Sequence, residues 1–145
     1  AEFSDTKGNE AYNAVRRTLE SVSSFSNQSV AVTNRWNVEG QVTNIPRASY
    51  GDAIGNNNFS SRWIEDASFL RMKSITLSYN FDKPVWNFFR SGTIYVTGEN
   101  LLTATKYLGM DPEFAYSSGS NATQGFDYAK VMQPKSVKLG INLKF

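Results

Sequence analysis

Neither histidine nor cysteine occurs in these 145 residues. That removes the commonest general base and metal ligand, along with thiol catalysis, disulfides and cysteine zinc sites. Carboxylates and aromatics are left to do chemistry. Glu65 and Asp66 are adjacent, but a glycosidase needs two carboxyl groups about 5 to 9.5 Å apart across one sugar. Neighbours at the head of a strand project to opposite faces, so the pair reads as a loop anchor with Arg62 or Arg71 as counter-ion. Asp111, Glu113 and Asp127 offer the hard oxygens that calcium takes, at a spacing that matches no EF-hand loop. Trp63, Tyr107, Tyr116, Phe126 and Tyr128 can stack on sugar rings or pack among themselves. With no phosphate loop and no nucleophile triad, no enzyme is expected and no cofactor is indicated.

The elements that must carry these residues are mostly strands. In 135–145, Val137, Leu139, Ile141, Leu143 and Phe145 fall on one parity, and Ser136, Lys138, Gly140, Asn142 and Lys144 on the other. Successive strand residues face opposite sides, so this segment has one apolar and one polar face. Residues 69–81 repeat the pattern through Ile75, Leu77, Tyr79 and Phe81, and 93–103 follows it less cleanly through Ile94, Val96 and Leu102. One helix is expected over 9–24, capped by Asn9, with Tyr12, Val15, Leu19 and Val22 on one face. Val30 to Asn44 carries a broken strand pattern that ends at Ile45-Pro46-Arg47. Gly, Asn and Ser then mark a loop up to Ser61, and a long polar loop fills 104–134.

Alternation of this kind suits a half-buried strand in water as well as a strand in lipid. No stretch approaches the roughly 20 apolar residues of a helical span, so a membrane crossing would be made by strands of about this length. The net charge of +2 points to no nucleic-acid partner. The start, Ala-Glu-Phe-Ser-Asp, lacks the features of a signal peptide, as expected of an unexported protein or of a mature or internal piece. Loops run long, short, long, and Trp63, Phe69, Phe81, Trp86, Phe88, Phe89 and Phe145 cluster near strand ends. Transmembrane β-barrels show both features.

Residues 61–79 run Ser-Arg-Trp-Ile-Glu-Asp-Ala-Ser-Phe-Leu-Arg-Met-Lys-Ser-Ile-Thr-Leu-Ser-Tyr. This stretch resembles a signature near the end of SusC/RagA-type TonB-dependent outer-membrane transporters of Bacteroidetes, with Ala67 and Ser74 where glycine and asparagine are usual. Residues 94–103, Thr105-Lys106-Tyr107, Asp111-Pro112-Glu113 and Gln133-Pro134-Lys135 are similar to the family's segments downstream of that signature. Asn34-Arg35-Trp36 and Ile45-Pro46-Arg47 are similar to its upstream loop. The resemblance implies an all-β membrane fold of about 22 antiparallel strands around a plugged lumen, of which this chain holds the last three. It makes 1–68 an extracellular loop region with a short helix, and 104–134 another extracellular loop. It implies an outer-membrane protein importing glycans or peptides. The implied partners are the rest of the same polypeptide, a SusD-like surface lipoprotein lid and the TonB complex, reached through the missing N-terminal part. The five loop aromatics would then contact substrate or lid, and Val137, Leu139, Ile141, Leu143 and Phe145 would form the barrel-assembly signal. The alternative is a secreted all-β carbohydrate-binding module, in which Ile75, Leu77, Val137, Leu139 and Ile141 pack under a second sheet.

Overall fold

A computed structural model describes residues 1–21, 23, 26–82, 90–114 and 124–144. The chain divides into two units, one built from Ala1–Lys7, Ser68–Lys106 and Met132–Phe145, the other from Gly8–Ala67 and Tyr107–Val131.

The first unit is an antiparallel sheet of β1 (Glu2–Thr6), β4 (Phe69–Phe81), β5 (Ser91–Thr105) and β7 (Ser136–Lys144), in the order β1-β4-β5-β7. Register decides what each face looks like. Leu77 pairs with Val96 and Val96 with Leu139, while Tyr79, Ile94 and Ile141 form the next row on the same side. All six are exposed, Leu77 and Leu139 at 74% each. The opposite side carries Thr76, Thr97 and Lys138 in one row and Asn80, Thr93 and Asn142 in another. Those side chains bond to one another: the Thr76 and Thr97 hydroxyls lie 2.9 Å apart, and Thr93 Oγ1 donates to Asn80 Oδ1 at 2.7 Å. Glu99 accepts from Ser136 Oγ at 2.8 Å and pairs with Lys138. One face is thus a hydrogen-bonded polar surface and the other a bare apolar one.

The apolar alternation of β4 changes parity at Lys73, from Leu70 and Met72 to Ile75, Leu77, Tyr79 and Phe81. Both ladders slip at that point: Glu2 faces Ser74 while Phe3 faces Met72, and on the other side Glu99 faces Ser74 while Leu102 faces Met72. Asn100, in the slip on β5, has φ 51°. A bulge absorbs the odd residue and bends the strand, so Phe3, Met72 and Leu102 form a row that continues the apolar face.

The strand β1 was not expected, because Phe3 is its one large apolar residue and no parity can be read from it. The sheet therefore has four strands from this chain rather than three, and 1–68 is not loop throughout. The helix expected over 9–24 is also corrected. Glu10–Asn13 is a strand (β2), and the helix α1 is only Ala14–Leu19. Asn13, not Asn9, starts it, its Oδ1 accepting from Arg16 N at 2.8 Å, because Ala11 and Tyr12 are drawn into pairing with Glu65 and Ile64. Long-range pairing outweighs the weak local preference of so short a segment. Val30–Asn34 is a 3-10 turn, and no strand forms over the rest of the stretch to Asn44, where Val38 and Val42 are exposed. Val22, the connector aromatics Trp86, Phe88 and Phe89, Tyr116 and Phe145 lie outside the described residues.

On the polar face, the Tyr95 ring lies across Gly140, where an added Cβ would collide with it. Gly140→Val is expected to destabilise by about 1–3 kcal/mol through this overpacking, read as a lower urea midpoint. Adding Tyr95→Ala should recover most of the loss; no recovery would place the strain elsewhere.

Candidate functional site

The second unit is arranged around a small sheet of β2, β3 (Ile64–Asp66) and β6 (Phe126–Asp127), with β2 in the middle. β2 runs antiparallel to β3 and parallel to β6, which sets Tyr12 beside Phe126 and Asn13 beside Asp127. Ala11, Ala67 and Tyr107 are buried together, with Phe114 against them.

Charged groups tie the loops to this sheet. Trp63 is fully buried, and Arg62 and Arg16 lie 4.4 and 5.8 Å from its ring centre. Arg16 donates to Glu20 at 2.7 Å and to Glu65 at 2.9 Å, and Arg62 reaches the other Glu20 oxygen at 3.2 Å. Glu65 also accepts from Asn13 Nδ2 at 3.3 Å and from Leu108 N at 3.1 Å. Burial alone would lower the pKa of Arg16, but its bonds to Glu20 and Glu65 outweigh that and raise it. For Arg62 burial prevails and the pKa falls, against the attraction of Glu20. Tyr107 donates to Asp127 Oδ2 at 2.7 Å. Burial first, and that hydrogen bond second, push its phenol well above the usual range, so it stays neutral and donating.

Sequence-expected residues therefore separate into two groups. Trp63 and Tyr107 have almost no exposed surface, and their rings are spent on the arginines and on Phe114. Phe126 and Tyr128 stack with each other at 6.3 Å, and Tyr128 is 57% exposed. The structure adds Phe59, which the sequence pattern did not single out. It stacks on Tyr12 at 4.5 Å, lies 6.2 Å from Phe126 and is 63% exposed. Its only signal is an aromatic inside a run of Asn and Ser that otherwise reads as loop. The counter-ion of Glu65 is Arg16 rather than Arg62, which goes to Glu20. The three carboxylates considered for calcium are not gathered: among the described residues no three acidic groups come together. Asp127 is engaged by Tyr107 and by Lys130 N, and Asp111 accepts from Glu113 N.

No family profile matches the chain. Individual proteins do. Over 148 residues, 99% of this chain, it is 32% identical to TonB-dependent receptor P26 of Formosa agariphila. Over 90 residues, 59% of this chain, it is 36% identical to TonB-dependent receptor SusC of Bacteroides thetaiotaomicron. Among solved structures, the RagAB peptide importer in its closed-closed state superposes with a TM-score of 0.78 over 99% of this chain, at 27% identity. The chain belongs to the SusC/RagA-type TonB-dependent receptors. It spans 15% of the length of the Formosa receptor and of the RagAB chain, and 8% of SusC. Membership in this receptor family sets aside the secreted binding module. Of the residues that reading packs under a second sheet, Leu77, Val137, Leu139 and Ile141 are exposed in this chain.

Glu20 is shared by two arginines in this receptor segment, so Glu20→Ala leaves both cations beside one buried ring. The expected cost is about 3 kcal/mol, as for a broken buried pair, read as faster proteolytic cutting at loops 26–60. Unchanged cutting would mean that the loops are held by their backbone alone.

Proposed function

We propose that this chain is the C-terminal part of an outer-membrane nutrient transporter, and that its four-stranded sheet is a piece of the barrel wall. One observation carries the reading: an apolar face, exposed across rows of β4, β5 and β7 with Phe3 of β1 joining it, and backed by a polar face whose side chains bond to one another. Each large apolar side chain left in water forgoes about 1.5–3 kcal/mol relative to burial. Lipid removes that penalty, and the antiparallel ladder satisfies backbone groups that a hydrocarbon layer cannot. The strands Phe69–Phe81, Ser91–Thr105 and Ser136–Lys144 would then be the last of about 22, with Glu2–Thr6 as a wall strand before them.

In this assignment most of 8–68, and the loop 104–134, lie on the extracellular side, where a SusD-like lipoprotein closes over the lumen. Glycans or peptides are the cargo, and energy arrives from the TonB complex through parts of the polypeptide outside this chain. Tyr128, Phe126 and Phe59 form a row of loop aromatics that offers surface to a substrate or lid. Val137, Leu139, Ile141, Leu143 and Phe145 supply the alternating signature that barrel assembly reads. The SusC and RagAB relatives support the coarse reading, and the residue roles are ours.

Single cysteines at Leu77, Leu139, Thr76 and Lys138 of the intact receptor, each carrying a fluorophore, test the wall assignment. Quenching by lipids brominated on their acyl chains is expected at Leu77 and Leu139 and not at Thr76 and Lys138. Equal quenching at all four, or the reverse order, would refute it.

A further inference from the structure

Beside the aromatic row, Val15, Leu19, Ala129, Arg17, Asn57 and Tyr128 border an open groove of about 510 Å³, a size that suits a small ligand. Its chemistry is uneven. Val15, Leu19 and Ala129 give it aliphatic walls, and Tyr128 closes one side with an exposed ring. The Thr18 hydroxyl at its edge is already donating to Ala14 O at 3.0 Å. Arg17 is the charged residue of the groove. Its Nε donates to Asn57 O at 2.8 Å, which fixes the guanidinium and leaves its two terminal nitrogens as an unspent fork. Among the described residues no carboxylate pairs with it. A fork held in this way is pre-organised for a bidentate carboxylate.

Resting on the transport reading above, we propose that this groove is a subsite for the free carboxylate end of a short peptide whose last side chain is apolar. The carboxylate takes the Arg17 fork, and the side chain lies on Val15, Leu19 and Ala129 beside Tyr128. An acidic sugar would also satisfy the cation. Its ring hydroxyls would find partners in Asn57 and Thr18 at the rim but none on Val15, Leu19 and Ala129, where an apolar side chain instead removes its own surface from water. The lining therefore favours the peptide.

The test is binding of acetyl-Ala-Ala-Leu, as the free acid and as the C-terminal amide, to the intact receptor in detergent, with glucuronate as a third probe. The acid is expected to bind about tenfold tighter than the amide, the strength of one charge-assisted contact. Arg17→Gln should abolish that difference while leaving amide binding unchanged, which also shows that the groove is still folded. Equal binding of acid and amide by the unmodified receptor would overturn the proposal. So would loss of amide binding in Arg17→Gln, which would make Arg17 a scaffold rather than an anchor, or tighter binding of glucuronate. A receptor that passes the brominated-lipid test and fails this one remains a barrel transporter without this subsite.

Discussion

Strand alternation places every second side chain of 69–81, 91–105 and 136–144 on a face that nothing described in this chain covers. Everything else about the sheet depends on that constraint. Rows such as Leu77–Val96–Leu139 form because the ladders keep one register over many residues, and a slip of one residue would turn each apolar side chain toward the polar face. The bulge at Lys73 repairs the one place where the sequence itself changes parity. On the reverse side, the pairs Thr76–Thr97, Thr93–Asn80 and Glu99–Lys138 add lateral bonds between the same strands. The sheet thus has an apolar front and a cross-linked polar back.

The second unit meets a different demand. It carries much irregular backbone, which the buried side chains of Tyr12, Val32, Ile45, Trp63 and Tyr107 hold by packing. Ionic and polar contacts add to that packing. Glu20 and Glu65 each serve more than one donor, and Arg16 joins them over Trp63. Arginine suits this position because its planar group can bond at its edges while its face lies on a ring. Tyr107, held neutral by burial, closes the far side through Asp127. The outcome is a framework on which Phe59 stacks over Tyr12 and Tyr128 over Phe126, each keeping more than half of its surface exposed.

How far the sequence could be read depends on the range of the forces involved. Parity along a strand is a local property, so the strands through Leu77, Val96 and Leu139 were legible, and so was their apolar face. The absence of histidine and cysteine bounded the chemistry equally directly. Local signals failed where a distant partner decides the conformation. Glu2–Thr6 becomes a strand because β4 offers it an edge, and Tyr12 leaves the expected helix because Ile64 and Phe126 flank it. Glu65 was legible as an anchor, but its partner Arg16 lies 49 positions away and nothing nearby in sequence marks it.

Strand alternation, the placement of aromatics and the family signature through Trp63 to Tyr79 are all written in neighbouring residues, and no fold is needed to read them. Which aromatics are spent inside and which are presented is settled by tertiary contact alone. Trp63 and Tyr128 are both aromatic residues in polar surroundings. One is enclosed by two arginines and the other stands at the mouth of a groove, because burial is set by what the fold brings from elsewhere in the chain.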